Sequence, residues 1–192
     1  MVFEDQKLFG QTFASKLGWV GYLRNQDCVL QKVSFGFASE LDLLQSLTKF
    51  DDLQSAIDFD AAQVHWFDEK LRAMLLDYTN GKNSDLLDFE IEQSWMTAFQ
   101  RRVVNQCREI PFGETISYGE LAERSGSPRA ARAVGSVMAK NRFPIVVPCH
   151  RVIATNKKIG GFSAPRGISL KQQMLELEKA ACASPQSVDV YK

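Results

Sequence analysis

Ser117-Tyr118-Gly119-Glu120-Leu121-Ala122-Glu123-Arg124-Ser125-Gly126-Ser127-Pro128-Arg129-Ala130-Ala131-Arg132-Ala133-Val134-Gly135-Ser136 is the stretch whose punctuation decides how the chain reads. Ser117 and Glu120 stand in the S-x-x-E spacing of a capping box, in which each side chain satisfies an orphan backbone N–H at a helix start. A short helix to Arg124 follows. Ser127-Pro128 then repeats the signal with proline at a first helical position, where its missing N–H costs nothing. The second helix should run from Pro128 to Lys140, with Asn141 in the left-handed conformation that closes it. Two short helices joined by a Gly-containing turn have the shape of a helix-turn-helix. Arg129, Arg132 and Lys140 lie on the second helix among Ala130, Ala131, Ala133, Gly135 and Ser136. Such small residues let a helix sit close to a groove.

The charge distribution supports a polyanionic partner for this region. The chain has 192 residues and 23 basic against 23 acidic groups, hence a formal net charge of zero. Residues 1–92 hold 8 Lys/Arg and 16 Asp/Glu, or −8; residues 93–192 hold 15 and 7, or +8. The neutrality is a cancellation between an acidic front half and a basic back half. With 45% hydrophobic and 24% charged residues the chain is not disordered or collagen-like. No apolar run reaches the roughly 18 residues of a membrane span. Met1 to Lys7 lack a basic and then apolar leader. A soluble protein of the reducing cytoplasm, or of the nucleus in a eukaryote, is expected. Cys28, Cys107, Cys149 and Cys182 are scattered without a C-x-x-C pair and read as separate thiols.

Upstream, Trp95, Phe99 and Val103 recur at i, i+4, i+8 and predict a helix over 94–109, ended by Pro111-Phe112-Gly113. The front half reads as a small α/β unit. Residues 18–23 and 28–35 have the β-branched and aromatic content of two strands, turned at Arg24-Asn25-Gln26-Asp27. Helical spacing follows over 40–50 and 61–78, the latter with Val64, Phe67, Leu71 and Leu75 on one face and Asn80-Gly81 as its cap. The expected architecture is an α/β N-terminal domain, a small antiparallel sheet plus helices, over 1–92. A mainly α C-terminal domain with the helix-turn-helix covers 93–182, and 183–192 form a flexible tail. Lys82-Asn83-Ser84-Asp85 is the expected linker.

After the second short helix the chain becomes extended and apolar, Phe143-Pro144-Ile145-Val146-Val147, and ends in Pro148-Cys149-His150-Arg151. A neighbouring base or positive charge favours thiolate, the nucleophilic form. Cys149 therefore reads as reactive, whereas Cys28, Cys107 and Cys182 read as inert. Neighbours in a strand point to opposite faces, so His150 needs a turn or a bridging water to serve Cys149. Ile159-Gly160-Gly161-Phe162-Ser163 suits close backbone approach to a ligand. Ser169 caps a last helix, on which Glu178 can orient His150 as the third member of a relay.

Thr115-Ile116-Ser117-Tyr118, Ala131-Arg132-Ala133-Val134-Gly135, Asn141, Pro148-Cys149-His150-Arg151 and Gly160-Gly161-Phe162-Ser163, in this order, resemble the O6-alkylguanine-DNA alkyltransferases, also called methylated-DNA:protein-cysteine methyltransferases. The resemblance runs from about Phe99 to Ser163 and resumes through Glu178. It implies direct repair of double-stranded DNA carrying O6-alkylguanine, or O4-alkylthymine, by irreversible transfer of the alkyl group to Cys149, each molecule reacting once. Cys149 would be the acceptor, His150 its base through a water, Glu178 the partner of His150, and Asn141 the link between reading helix and active segment. Tyr118 and Arg132 would act on the extruded nucleotide. Pro144, Val147, Phe162 and Ser163 would line the base pocket. Arg129, Ala131, Arg132, Gly135, Ser136 and Arg151 would face DNA. The resemblance implies no cofactor, no metal and no required protein partner, so a monomer is expected. With Cys28 and His65 as the Cys/His ligands of the front half, a four-ligand zinc site is not expected there.

Phe162 stands where many members of that family have tyrosine, and 164–167 lengthen the pocket loop by about two residues relative to its shortest forms. Three other readings compete: a non-catalytic alkylated-DNA-binding protein, a regulatory helix-turn-helix protein and a cysteine hydrolase. The first would replace Cys149. The second leaves 148–151 and the glycine loop without a task, and the third leaves the helix pair unexplained.

Overall fold

A computed structural model describes residues 7–49, 57–59, 66–155 and 159–183. The front half is built on three long strands, β1 (Leu8–Ser15), β2 (Gly18–Arg24) and β3 (Leu30–Phe37). They form an antiparallel meander, and the two-residue β4 (Ile57–Asp58) adds a parallel edge to β1, making the sheet mixed. The expected pair of strands corresponds to β2 and β3. β1 escaped the sequence reading because Gly10, Gln11, Thr12 and Ser15 dilute its apolar alternation.

Period-two alternation splits the sheet between two apolar clusters. Leu8 and Leu23 face helix α1 (Glu40–Thr48) and pack on Leu43 and Leu47. Phe13, Val20, Tyr22, Val33 and Phe35 belong to the main core instead. There they join Phe67, Leu71, Leu75 and Tyr78 of helix α2 (Trp66–Thr79) and residues of the back half from Val103 to Met174. Asp68 in the first turn of α2 accepts from Arg24 Nε and Nη2 at 2.9 and 2.6 Å and from the Tyr22 hydroxyl at 2.9 Å. This buried pairing fixes the start of α2 beneath β2. Gly81 closes the helix at a positive φ, as its sequence suggested. Of the expected helices, Phe50 and 61–65, with Val64 and His65, lie outside the described residues, as does the tail beyond Ala183.

The back half holds helices α3 (Ala98–Arg108), α4 (Tyr118–Arg124), α5 (Ala131–Ala139) and α6 (Gly167–Ala183), with β5 (Ile116–Ser117) paired in parallel to β6 (Val152–Ile153). Four boundaries differ from the sequence reading. α3 starts after a Thr97–Gln100 capping box, so Trp95 precedes the helix and stays exposed, outside the Phe99–Val103 stripe. α5 starts at Ala131, because residues 127–130 close a separate turn through an Ala130 N–H to Ser127 carbonyl bond. Arg129 therefore lies in that turn. Asn141 is not left-handed, since α5 ends through Lys140, whose N–H meets the Val137 carbonyl. Ser169 sits inside the first turn of α6, with its hydroxyl on the Arg166 carbonyl. The α4 capping box at Ser117 and Glu120 forms as its spacing required. No helix among the described residues is long and apolar enough to cross a membrane.

Candidate active site

Residues 143–147 are not an extended strand. Val147 N–H returns to the Phe143 carbonyl at 2.7 Å, and Ile145 takes a positive φ of 74°, unusual for a β-branched side chain. The reversal is held from the side by Asn141. Its Oδ1 accepts from Phe143 N–H at 3.0 Å, and its Nδ2 donates to the Val147 carbonyl at 2.9 Å and to Cys149 Sγ at 3.1 Å. Cys149–Arg151 then form one 3-10 turn. That turn overrides the alternation of a strand and brings Cys149, His150 and Arg151 into the interior together. β3 braces the segment through a Val33 N–H to Arg142 carbonyl bond of 2.8 Å.

Cys149 opens into a cavity of about 190 Å³ bounded by Asn141, Pro144, Phe162, Ser163 and, from β3, Val33 and Phe35. Burial pushes its thiol up, while the Asn141 amide and the charge of Lys171 pull the other way. Burial lowers the basicity of His150 against the attraction of Glu178. Cys149 and His150 therefore rest as thiol and neutral imidazole. His150 Nε2 lies 2.7 Å from Glu178 Oε1. A carboxylate only accepts, so Nε2 carries the proton and the lone pair is on Nδ1, which is buried without a hydrogen-bond partner.

Glu178 is a hub. Oε1 also accepts from the Tyr78 hydroxyl at 2.9 Å and from Arg151 Nη2 at 3.0 Å; Oε2 accepts from Arg151 Nε at 3.0 Å and Gly113 N–H at 2.9 Å. Burial opposes its charge, yet the His150 ring and the Arg151 guanidinium hold its carboxyl down to about 2. Gly113 reaches the hub at a positive φ, and a Cβ there would stand 2.4 Å from Cys182 Sγ. Arg151 gives its remaining reach to the Ile110 carbonyl at 2.6 Å. Its charge is thus spent inside, against the expectation that it faces DNA.

The other expected residues divide by location. Pro144, Phe162 and Ser163 line the cavity with Asn141 and Cys149. Val147 is fully buried, and its carbonyl is already engaged by Asn141. Arg132 and Ser136 are exposed on α5, Arg129 is exposed just before it, and Ala131 and Gly135 are half-buried on its inner side. Tyr118 lies half-buried at the start of α4. A Cβ on Gly160 would come 2.9 Å from its hydroxyl, so this glycine serves the tyrosine's approach. Three site residues escaped the sequence reading. Tyr78 ended an apolar helical stripe, Gly113 looked like a helix stop, and Lys171 is a buried amine on the Val152 carbonyl at 2.7 Å, 5.9 Å from the Tyr118 ring centre.

The site thus joins a buried cysteine held by an asparagine amide to a histidine–carboxylate pair, downstream of the α4–α5 helix pair that carries Arg132. Residues 98–180 match the family described as the 6-O-methylguanine DNA methyltransferase DNA-binding domain. The methylated-DNA–protein-cysteine methyltransferase of Mycolicibacterium paratuberculosis is 45% identical over 108 residues, 56% of this chain and 63% of that protein. That of Methanosarcina acetivorans is 48% identical over 82 residues, 43% of this chain and 51% of its own length. The matches thus span between half and two thirds of these curated relatives. Among solved structures, Mycobacterium tuberculosis OGT in complex with DNA aligns over 90% of this chain and 94% of its own, at 31% identity and a TM-score of 0.70. The Mycobacterium tuberculosis O6-methylguanine methyltransferase aligns over 96% and 99%, at 30% identity and 0.71. The chain belongs to the O6-methylguanine-DNA methyltransferase family.

Proposed function

We propose that this chain repairs double-stranded DNA by moving the alkyl group of O6-alkylguanine onto Cys149, once per molecule. The observation that carries the reading is the Cys149 thiol at 3.1 Å from the Asn141 amide inside a small cavity of mixed apolar and polar lining, next to a histidine whose free lone pair is buried. At about 190 Å³ the cavity is below the roughly 300–1,000 Å³ of drug-sized sites, which suits one flat base and a small adduct.

The base must leave the stack to enter such a cavity, at a cost of a few kcal/mol. Arg132, exposed on α5, fills the gap, and Tyr118 presses the adjoining phosphate. α4 and α5 act as the helix-turn-helix, with Arg129 and Ser136 on phosphates and α5 in the groove. The thiol proton passes to His150 Nδ1 through a bridging water, and the Glu178 carboxylate stabilises the resulting imidazolium. Sγ attacks the sp3 carbon in line. The S–C bond forms as the C–O6 bond breaks, the electron pair stays on the base, and the proton held by the imidazolium is passed on through water to the guanine ring nitrogen, leaving His150 neutral. The product thioether has no carbonyl for water to attack, so no step returns the thiol. The acidic front half supplies the β3 wall of the cavity, and the protein works as a monomer without cofactor.

The test is intact mass after mixing with a duplex carrying one O6-methylguanine. The wild-type chain should gain one methyl group and Cys149→Ser none. No gain, or a gain that persists in Cys149→Ser, rejects the reading.

A further inference from the structure

We propose that Tyr78, carried by the front half, is a positioning residue for the base of the reaction: its hydroxyl holds His150 and Glu178 in register across the two halves, so Cys149 reactivity depends on how the front half is seated. The inference rests on the reading of His150 as the base that activates Cys149.

The geometry is a closed triangle. The Tyr78 oxygen lies 3.0 Å from His150 Nε2 and 2.9 Å from Glu178 Oε1, and those two atoms are 2.7 Å apart. A phenol has one proton and Glu178 can only accept, so Tyr78 donates to Oε1. Its lone pair is then turned toward Nε2–H. Tyr78 thus opposes rotation of the imidazole, and with it displacement of Nδ1, the atom through which His150 acts on Cys149 in the proposed reaction. Burial raises the Tyr78 hydroxyl well above its ordinary range, with Glu178 adding to the shift, so the phenol remains a neutral donor. Its ring is held edge-on to Phe112 with centroids 6.2 Å apart.

The helix delivering this hydroxyl is anchored at both ends, by Arg24 and Tyr22 on Asp68 at its start and by Tyr78 on Glu178 at its finish. Tyr78 shares a stripe with Phe67, Leu71 and Leu75, all buried in the core that joins the two halves. A phenylalanine would satisfy that packing, so the buried hydroxyl is explained by its polar partners. The charged and titratable groups facing His150 are Glu178 and Lys171 from α6, Tyr78 from α2, and Arg151 and Cys149 from its own turn. Cys107 of α3 faces Cys149 from behind. Removing the Tyr78 hydroxyl takes one donor from Glu178. The carboxylate then attracts the imidazolium more strongly, which raises the His150 pKa.

Tyr78→Phe deletes the oxygen and keeps the ring. A well-placed base is worth roughly 10²–10⁴ in rate, and loss of one positioning contact should cost Cys149 alkylation about tenfold. The same loss should appear with the O6-methylguanine duplex and with iodoacetamide, and the acidic limb of both rate–pH profiles should move to higher pH. Duplex affinity should be unchanged. A wild-type rate and pH profile overturns the proposal, as does a rate loss that follows the fall in melting temperature with the acidic limb unmoved. Nitrogen-15 NMR of His150 in the wild-type chain tests it without a variant: a proton on Nδ1 in place of Nε2 overturns it. If the wild-type chain takes no methyl from DNA yet Tyr78→Phe slows and shifts the iodoacetamide reaction, the positioning role stands and the DNA substrate falls.

Discussion

Arg132 and Arg151 belong to two regions of the back half that use the same side chain in opposite ways. On α5, Arg132 stands in solvent on a helix of small residues. Behind Cys149, Arg151 is 8% exposed and bonded to both oxygens of Glu178 and to the Ile110 carbonyl. The basic excess of this half is therefore not all available to a polyanion. One charge is screened by solvent, and the other is unscreened and holds the carboxylate that pairs with a histidine. Mutations in the two should be separable by salt, pH and stability.

The largest effect is expected inside. Glu178→Gln leaves Arg151 buried without its counter-charge and puts an amide where Tyr78, His150 and Gly113 all donate. Stability should fall by about 3–5 kcal/mol, read by denaturant melts, and alkylation by roughly 10² or more. A variant as stable as the wild type would show that the hub is not a structural element. Acid should reproduce part of this loss. His150 has a folded pKa below its ordinary 6.5, so its contribution is complete above about pH 6.5 and declines below it. Glu178 then loses its contribution from 4.5 down to about 2, on the order of 3 kcal/mol in all. Stability flat from pH 7 to 3 would contradict the assignment.

Asn141→Ala should come next. It releases the Val147 carbonyl and the Cys149 thiol together, costing about 1–3 kcal/mol for the buried groups left unpaired. Thiol reactivity at neutral pH should fall with it, measured by iodoacetamide labelling. The outer region should give the smallest change in stability. Arg132→Ala should stay within about 0.5 kcal/mol of wild type, yet slow repair in duplex more than attack on a free base analogue. If Arg132 also meets a phosphate, the salt slope of binding should drop by about 1. Arg151→Gln should do the reverse, with a large loss of stability and an unchanged slope.

The same contrast explains what the sequence made readable. The capping box of Ser117 and Glu120 and the helix stop at Gly81 are local signals, set by capping and turn chemistry, and they appeared where expected; the pairing of His150 with Glu178, 28 residues on, was read from the family resemblance and a helix face. The hub closes over long separations: Tyr78 to Glu178, Gly113 to Glu178, Arg151 to Ile110. No window of sequence contains both partners, so Arg151 read as a free charge and Tyr78 as one more apolar residue. The turn at Ile145 failed for a related reason. A run of β-branched residues favours strand, whereas the reversal is held by the Val147 N–H on the Phe143 carbonyl, by the three hydrogen bonds of the Asn141 side chain and by the brace from β3.

The fate of the alkyl group tests the whole account most directly. With O6-methylguanine duplex in excess, methyl transferred should plateau at one per protein molecule, with S-methylcysteine at position 149 in the digested chain and normal guanine in the DNA. Continued turnover past that plateau, or the methyl on any residue other than Cys149, would contradict it.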